Sequence, residues 1–256
     1  MSPAHSSPQA DEPLPAAVAA EWLQPFLDYL EKERRYSGYT VRNYRQAIED
    51  FHQWLKRSGR SAADFGRLTA REVRDFVIEA QSRFGRRTLH NHVSGLRTFY
   101  RYWMREGKLT KNPFLGVPLP KLEKPLPKFL TEAQMLKLLA GPEKLLAAET
   151  LSRPAALRDR LVLEVLYGGG LRVSEAVALN YGDVDFDTGS ARVLGKGRKE
   201  RICPLGDAAM AVMKAFRQTK DGGVELSDPV LTTLAGGRMT PGEVQKLVKK
   251  YLALAD

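Results

Sequence analysis

YGGGLRVSEAVALNYGDVDFDTGSARVLGKGRKERICPL, Tyr167 to Leu205, changes its period part-way along. An apolar helical run through Leu157 to Leu166 stops at three glycines, and a short helix from Arg172 to Leu179 follows. SARVL and RICPL then alternate around GKGRKE, as the two strands of a β-hairpin do. Two cationic groups mark this stretch: Arg172 behind the glycines, and Lys196, Arg198, Lys199 and Arg201 on or beside the glycine-flanked turn. An arginine fork facing a mobile lysine is a pairing that can hold a phosphodiester.

Other readings of the same residues fail on spacing. Gly195-Lys196 lacks a nucleotide-binding phosphate loop around it, because five residues and not four separate Gly189 from Gly195, and Gly197 occupies the place of the magnesium-binding Ser or Thr. Asp183, Asp185 and Asp187 imitate the start of a calcium loop, but Thr188 replaces its obligatory glycine and Leu194 its bidentate glutamate. These aspartates are expected to make turn contacts to backbone amides. No histidine follows His92, so neither Ser174 nor Cys203 has a base for a triad in the second half, and Cys203 reads as a buried strand residue.

Outward from this stretch, 256 residues at 43% hydrophobic composition fit two domains better than one. The net charge of +10 and pI near 9.7 favour an acidic partner, with nucleic acid first. No run approaches the ~18 apolar residues of a spanning helix, and no signal peptide or lipidation motif is present, so a cytoplasmic protein with no membrane partner is expected. One cysteine excludes an internal disulfide, and with only four histidines it leaves no zinc constellation; no metal and no cofactor are expected. Residues 1–16 read as a flexible tail. Residues 17–115 hold 19 basic against 11 acidic residues, and Pro118, Pro120, Pro125 and Pro127 mark 116–128 as a linker before a second domain, 129–256.

Four helices are expected in the first domain. The first carries Trp22, Phe26, Leu27 and Leu30, with Pro25 a candidate for its start; the second runs from Thr40 to Gly59. The third opens on Thr69 with Glu72 as a capping box, and the fourth spans Thr88 to Arg105. On that fourth helix Leu89, Val93, Leu96, Tyr100 and Trp103 form one stripe, and His90, Ser94, Arg97, Arg101 and Arg105 another. Arg83, Arg86, Arg87, Lys108 and Lys111 flank the second stripe, which is either a solvated basic face or a surface for a nucleic-acid groove. In the second domain helices are expected from Thr131, after Asp207 and after Thr240, where Thr-Pro-Gly-Glu supplies a cap. Tyr251, at helical spacing with Val244, Leu247 and Val248, is expected to pack.

LYGGGLRVSEAVAL followed by LGKGRKERICPL resembles the tyrosine recombinase (phage integrase) family, and YSGYTVRNYRQAIEDFHQWL with the downstream NPF resembles its Xer branch. The resemblance covers Trp22 to Asp256. It implies a mainly α protein: a four-helix SAM-like core-binding domain, then an α+β catalytic domain, incomplete here, with a small antiparallel sheet. By the same resemblance Arg172 matches the arginine that contacts the scissile phosphate, Lys196 the hairpin lysine that protonates the leaving 5′-hydroxyl, and Glu175 an acidic residue supporting them from inside the fold. Arg86, Arg87, His90, Arg97, Arg101, Arg105, Arg198, Lys199 and Arg201 are then the expected DNA contacts.

The family's His-x-x-Arg box and nucleophilic tyrosine have no counterpart in these residues, so the expectation is a truncated recombinase that binds double-stranded DNA without cleaving it. The family works as a tetramer, with itself or a paired recombinase, in chromosome dimer resolution; this chain alone is expected to be monomeric. The alternative is a naturally short, non-catalytic DNA-binding regulator of recombination sites, and a type IB topoisomerase is a weaker one.

Overall fold

The computed structural model describes residues 14–60, 65–123, 129–195, 199–220 and 222–255. The chain divides into two compact units, Met1–Leu126 and Pro127–Asp256. Among the described residues no helix is long and apolar enough to cross a membrane.

Among the described residues the first unit is built on four helices. Helix α1, residues 16–33, alternates α turns (Ala16–Val18, Gln24–Asp28) with π turns (Ala19–Leu23, Tyr29–Glu33). Pro25 therefore lies inside α1 and is not its start. A proline ring collides with the carbonyl four residues back, and the wider π turn that immediately precedes it relieves that collision. Helix α2 (Gly38–Arg57) opens on Ser37, whose hydroxyl accepts from the Thr40 amide, and is followed by Gly59 at φ +73°. Helix α3 (Ala70–Arg83) has the expected box: Thr69 Oγ1 accepts from Glu72 N, and Glu72 Oε2 accepts from Thr69 N at 2.8 Å. Helix α4 is Arg86–Arg105.

All five residues of the apolar stripe on α4 are buried. They join an aromatic core in which Phe51 meets Phe76 edge-on at 4.9 Å and Trp22 meets Trp103 at 5.2 Å. Helices α2 and α4 approach closely at Gly95, where a Cβ would sit 3.2 Å from Tyr44 Cδ1. One polar pair lies in that seam: His92 Nε2 is 2.6 Å from Asp50 Oδ2, both residues buried. Leu109, Phe114 and Val117 close the same core, so the chain up to Val117 packs into the first unit.

The second unit contains α5 (Glu132–Ala147), α6 (Arg153–Tyr167), α7 (Val173–Ala178), α8 (Asp207–Arg217) and α9 (Pro241–Ala255), with strands β1 (Val184–Asp185), β2 (Ser190–Leu194) and β3 (Glu200–Pro204). The sheet is antiparallel in the order β1-β2-β3, with Ala191 opposite Cys203 and Val193 opposite Arg201. Ala191, Val193 and Cys203 face inward and are buried, while Arg192, Leu194 and Ile202 face outward. The aspartates between helix and hairpin make turn contacts: Asp185 Oδ1 accepts from the amides of Asp187 and Thr188, and Asp183 Oδ2 from that of Asn180. Thr240 and Glu243 form the capping box that starts α9.

Helix α9 lies against α5 so closely that a Cβ on Gly141 would fall 2.6 Å from the Tyr251 ring. Tyr251 is fully buried, and its hydroxyl donates to Asp159 Oδ2 at 2.7 Å. Burial, with the Asp159 carboxylate beside it, pushes the Tyr251 phenol well above its ordinary range.

Candidate functional site

Two of the three glycines admit a close approach and the third a left-handed turn. Beyond α6 the amide of Gly168 donates to Glu164 O, and the chain then turns under the end of β3. A Cβ on Gly168 would stand 2.8 Å from Leu205 O, and one on Gly169 2.8 Å from Val165 O and 2.9 Å from Leu205 Cδ2. Gly170 takes φ +56°, the left-handed region. The turn delivers Arg172 as the residue before α7, in extended geometry.

There a serine or threonine would usually cap the helix, but here Glu175 does so from the third position. Its Oε2 accepts from the Arg172 amide at 2.9 Å and its Oε1 from Arg172 Nη1 at 2.8 Å. The hairpin supplies the other half. Arg201, opposite Val193 on the inner side of the sheet, sets Nη1 on Glu175 Oε1 and Nη2 on Oε2, both at 2.8 Å. Gly195 makes room for this fork, since a Cβ there would lie 3.2 Å from Arg201 Nη1; its amide donates to Lys199 O at 2.8 Å and closes the hairpin turn.

One buried carboxylate thus carries two guanidiniums. The Glu175 side chain is 4% exposed, Arg201 38% and Arg172 68%. Hydrogen bonds from Arg201 above all, and then those from Arg172, outweigh burial and hold the Glu175 carboxyl down at about 2. The same pairing raises Arg201 above its ordinary value. Two cations on one anion leave a net positive charge, and Arg172 presents it to solvent with Nε and Nη2 unpartnered among the described residues. Such a surplus suits a tetrahedral anion.

Glu175 is thus buried and hydrogen-bonded to the backbone and side chain of Arg172. Arg201, expected on DNA, has its fork on Glu175 instead, because strand parity turns it inward. Lys199 is exposed; Lys196 and Arg198 lie outside the described residues.

The cationic stripe of α4 is only partly free. Arg97 Nε donates to Phe114 O at 3.0 Å and its Nη2 to Val117 O at 3.3 Å, so this side chain ties down the chain beyond α4. Asn112, which sequence reasoning missed although NPF carries it, completes the tie: Nδ2 donates to Arg97 O and Oδ1 accepts from Phe114 N. His90 Nε2 donates to Pro120 O at 2.7 Å, and Arg86 pairs with Glu123 at 2.8 Å. Arg105 pairs with Glu106 at 2.8 Å and lies over the Tyr29 ring. Arg87 and Arg101 remain exposed, with no partner among the described residues. Arg97→Ala and Arg101→Ala should therefore separate: Arg97→Ala is expected to destabilise the first unit by about 1–2 kcal/mol. Arg101→Ala is expected to leave stability unchanged and lower affinity for a DNA duplex, with a shallower salt dependence. Thermal melts beside fluorescence anisotropy titrations at two salt concentrations check both; equal melting losses, or unchanged binding by Arg101→Ala, would contradict the division.

Residues 128–256 match the model of the Phage integrase family, and residues 23–107 that of the phage integrase N-terminal SAM-like domain. Tyrosine recombinase XerC of Bacillus subtilis (strain 168) is 38% identical over 196 residues, 76% of this chain and 62% of that protein. Tyrosine recombinase XerD of Pseudomonas aeruginosa is 37% identical over 236 residues, 91% of this chain and 76% of that one. A solved structure of XerH site-specific recombinase, bound to its palindromic difH substrate in a post-cleavage complex, shares the fold at a TM-score of 0.66 and 18% identity, over 88% of this chain and 65% of that one. The chain thus spans 62% of the length of one of these curated relatives and 76% of the other.

Proposed function

This chain belongs to the phage integrase family of tyrosine recombinases, and from that premise we propose that it serves site-specific DNA recombination, in chromosome dimer resolution. The observation that carries this reading is Arg172, exposed with a spare pair of donors on a site whose charge is positive. Arg172 holds the non-bridging oxygens of the scissile phosphate, where negative charge builds as the phosphorus becomes five-coordinate. Lys196 hands a proton to the departing 5′-oxygen. In the full reaction a tyrosine oxygen attacks the phosphorus, the bond to the 5′-oxygen breaks, and a 3′-phosphotyrosine conserves the bond energy until the 5′-hydroxyl of the partner strand reverses the step. No cofactor is needed for such an exchange.

By itself the 256-residue chain binds DNA without cutting it. Tyr251 is no nucleophile: it is sealed in the core, its hydroxyl is held by Asp159, and its phenol is shifted away from ionisation. Affinity comes from the first unit, through Arg87 and Arg101 with their neighbours. Free in the cytoplasm the chain is a monomer, and tetramers belong to the complete recombinase on two duplexes. Incubation with a nicked duplex carrying a Xer-type site, run on native and denaturing gels, tests this. A shifted native band without a covalent adduct is expected. An adduct would overturn the non-cleaving reading, and no shift at low salt would overturn DNA binding.

A further inference from the structure

We propose that Arg201 is a positioning residue for Arg172: as the counter-ion of buried Glu175, it leaves the Arg172 charge and fork free for a DNA phosphate. The inference rests on the reading of Arg172 as a phosphate ligand.

The bonds divide the work. Arg201 spends both terminal nitrogens on both carboxylate oxygens, the arrangement with most energy and least freedom for this pair. Arg172 gives the same carboxylate one terminal nitrogen and its backbone amide. Their exposures follow the same division, 38% for Arg201 against 68% for Arg172. A buried carboxylate has to have a counter-ion. With Arg201 removed, Arg172 is the one guanidinium still bonded to Glu175, and it is drawn down into the bidentate pose that Arg201 vacates. The pair is then neutral, and the donors meant for phosphate are consumed. Arg201 thus acts at a distance from DNA, through charge balance and geometry.

This division makes an unusual prediction: a second substitution that removes the carboxylate's charge should repair the loss of Arg201. The probe is a fluorescent duplex with a Xer-type site, alongside duplexes in which one central phosphate at a time is a neutral methylphosphonate. The ratio of the two affinities reads the contact to that phosphate, separate from overall binding by the first unit. For the unmodified chain the ratio is expected to reach about tenfold at one position, as for a hydrogen bond to a charged group. Arg172→Ala should bring it near one. Arg201→Gln should do nearly the same, losing affinity for the unmodified duplex but not for the methylphosphonate one, and the double variant Glu175→Gln with Arg201→Gln should recover most of the ratio.

A wild-type ratio in Arg201→Gln, or a double variant as flat as the single, would overturn the proposal. Should Arg201→Gln fail to fold, Arg201→Lys and the double variant carry the test, since Arg201→Lys keeps the counter-charge and is expected to keep most of the ratio; a ratio near one in it would overturn the proposal. A flat profile for the unmodified chain itself would remove the phosphate role of Arg172, and the role of Arg201 with it. That outcome differs from a ratio that Arg172→Ala abolishes and Arg201→Gln retains.

Discussion

Glu175→Ala is expected to lower the stability of the second unit by about 2 kcal/mol at neutral pH. Removing one partner of a buried charge pair costs about 3–5 kcal/mol where all partners are dry. Here the figure is discounted, because Arg172 and Arg201 reach solvent and rehydrate once the carboxylate is gone. The substitution also removes the cap of α7 and the carboxylate that links that helix to β3. The pH dependence follows from the direction of the shift. Glu175 ionises at about 2 in the folded unit against an ordinary value of 4.5. A depressed acid binds fewer protons folded than unfolded, so its contribution is complete above pH 4.5 and is lost as the pH falls toward 2. Urea denaturation followed by circular dichroism, at pH 7 and in steps across that acid window, should show the wild-type advantage over Glu175→Ala shrinking on acidification. A constant difference would mean that the carboxylate contributes by packing and not by charge. Tryptophan fluorescence is the control, since Trp22, Trp54 and Trp103 all lie in the first unit and should not respond.

The same pairing shows how far the sequence could be read. Glycine spacing and the alternation of SARVL and RICPL were enough for the turn and the hairpin, because backbone sterics and a two-residue period act locally. Arg172 and Glu175 could be linked in advance, as residues three apart across a helix start. Arg201 reads from its charge as a DNA contact, although its place on the strand already points to the Glu175 pairing. It is two residues from Cys203 on one strand, and a strand side that buries a cysteine also turns an arginine inward. The charge pulled the assignment outward while parity pointed in. What the stripe on α4 meets is hidden from the sequence for a different reason. Helical spacing places Arg97 beside Arg101, but what each meets depends on where the chain goes after Gly107, and the carbonyls of Phe114 and Val117 lie beyond local rules. Pro25 belongs to a third kind: helices interrupted by π turns carry no periodic signature, so a proline inside one reads as an end.

A larger loss is expected in the first unit, from Asp50→Ala, at about 3 kcal/mol. The pair it breaks is buried in the seam between α2 and α4. Asp50 is 2% and His92 7% exposed, Gln46 donates to the other carboxylate oxygen at 3.2 Å, and the Phe84 ring lies tilted beside the imidazole at 4.6 Å. The second ring nitrogen, Nδ1, is 3.0 Å from Thr88 O, so both nitrogens face acceptors. An apolar pair would fill this seam between α2 and α4 equally well and would tolerate a slipped helix. A hydrogen bond of 2.6 Å admits only one register. His92→Phe keeps a ring beside Phe84 yet should cost as much as Asp50→Ala, because each substitution strands the buried partner it leaves behind, the imidazole in one case and the carboxylate with Gln46 alone in the other. The combination Asp50→Leu with His92→Phe should then recover most of the stability, since both polar groups leave together. Denaturant curves read by the fluorescence of Trp54 and Trp103, one on each of the two helices, measure all three variants. If the double variant is as unstable as the singles, the pair contributes net stability. If it is stable but its fluorescence and hydrogen exchange report several conformations, the pair instead contributes register, and it holds the exposed Arg87 and Arg101 at fixed positions on a helix that an apolar seam would let slide.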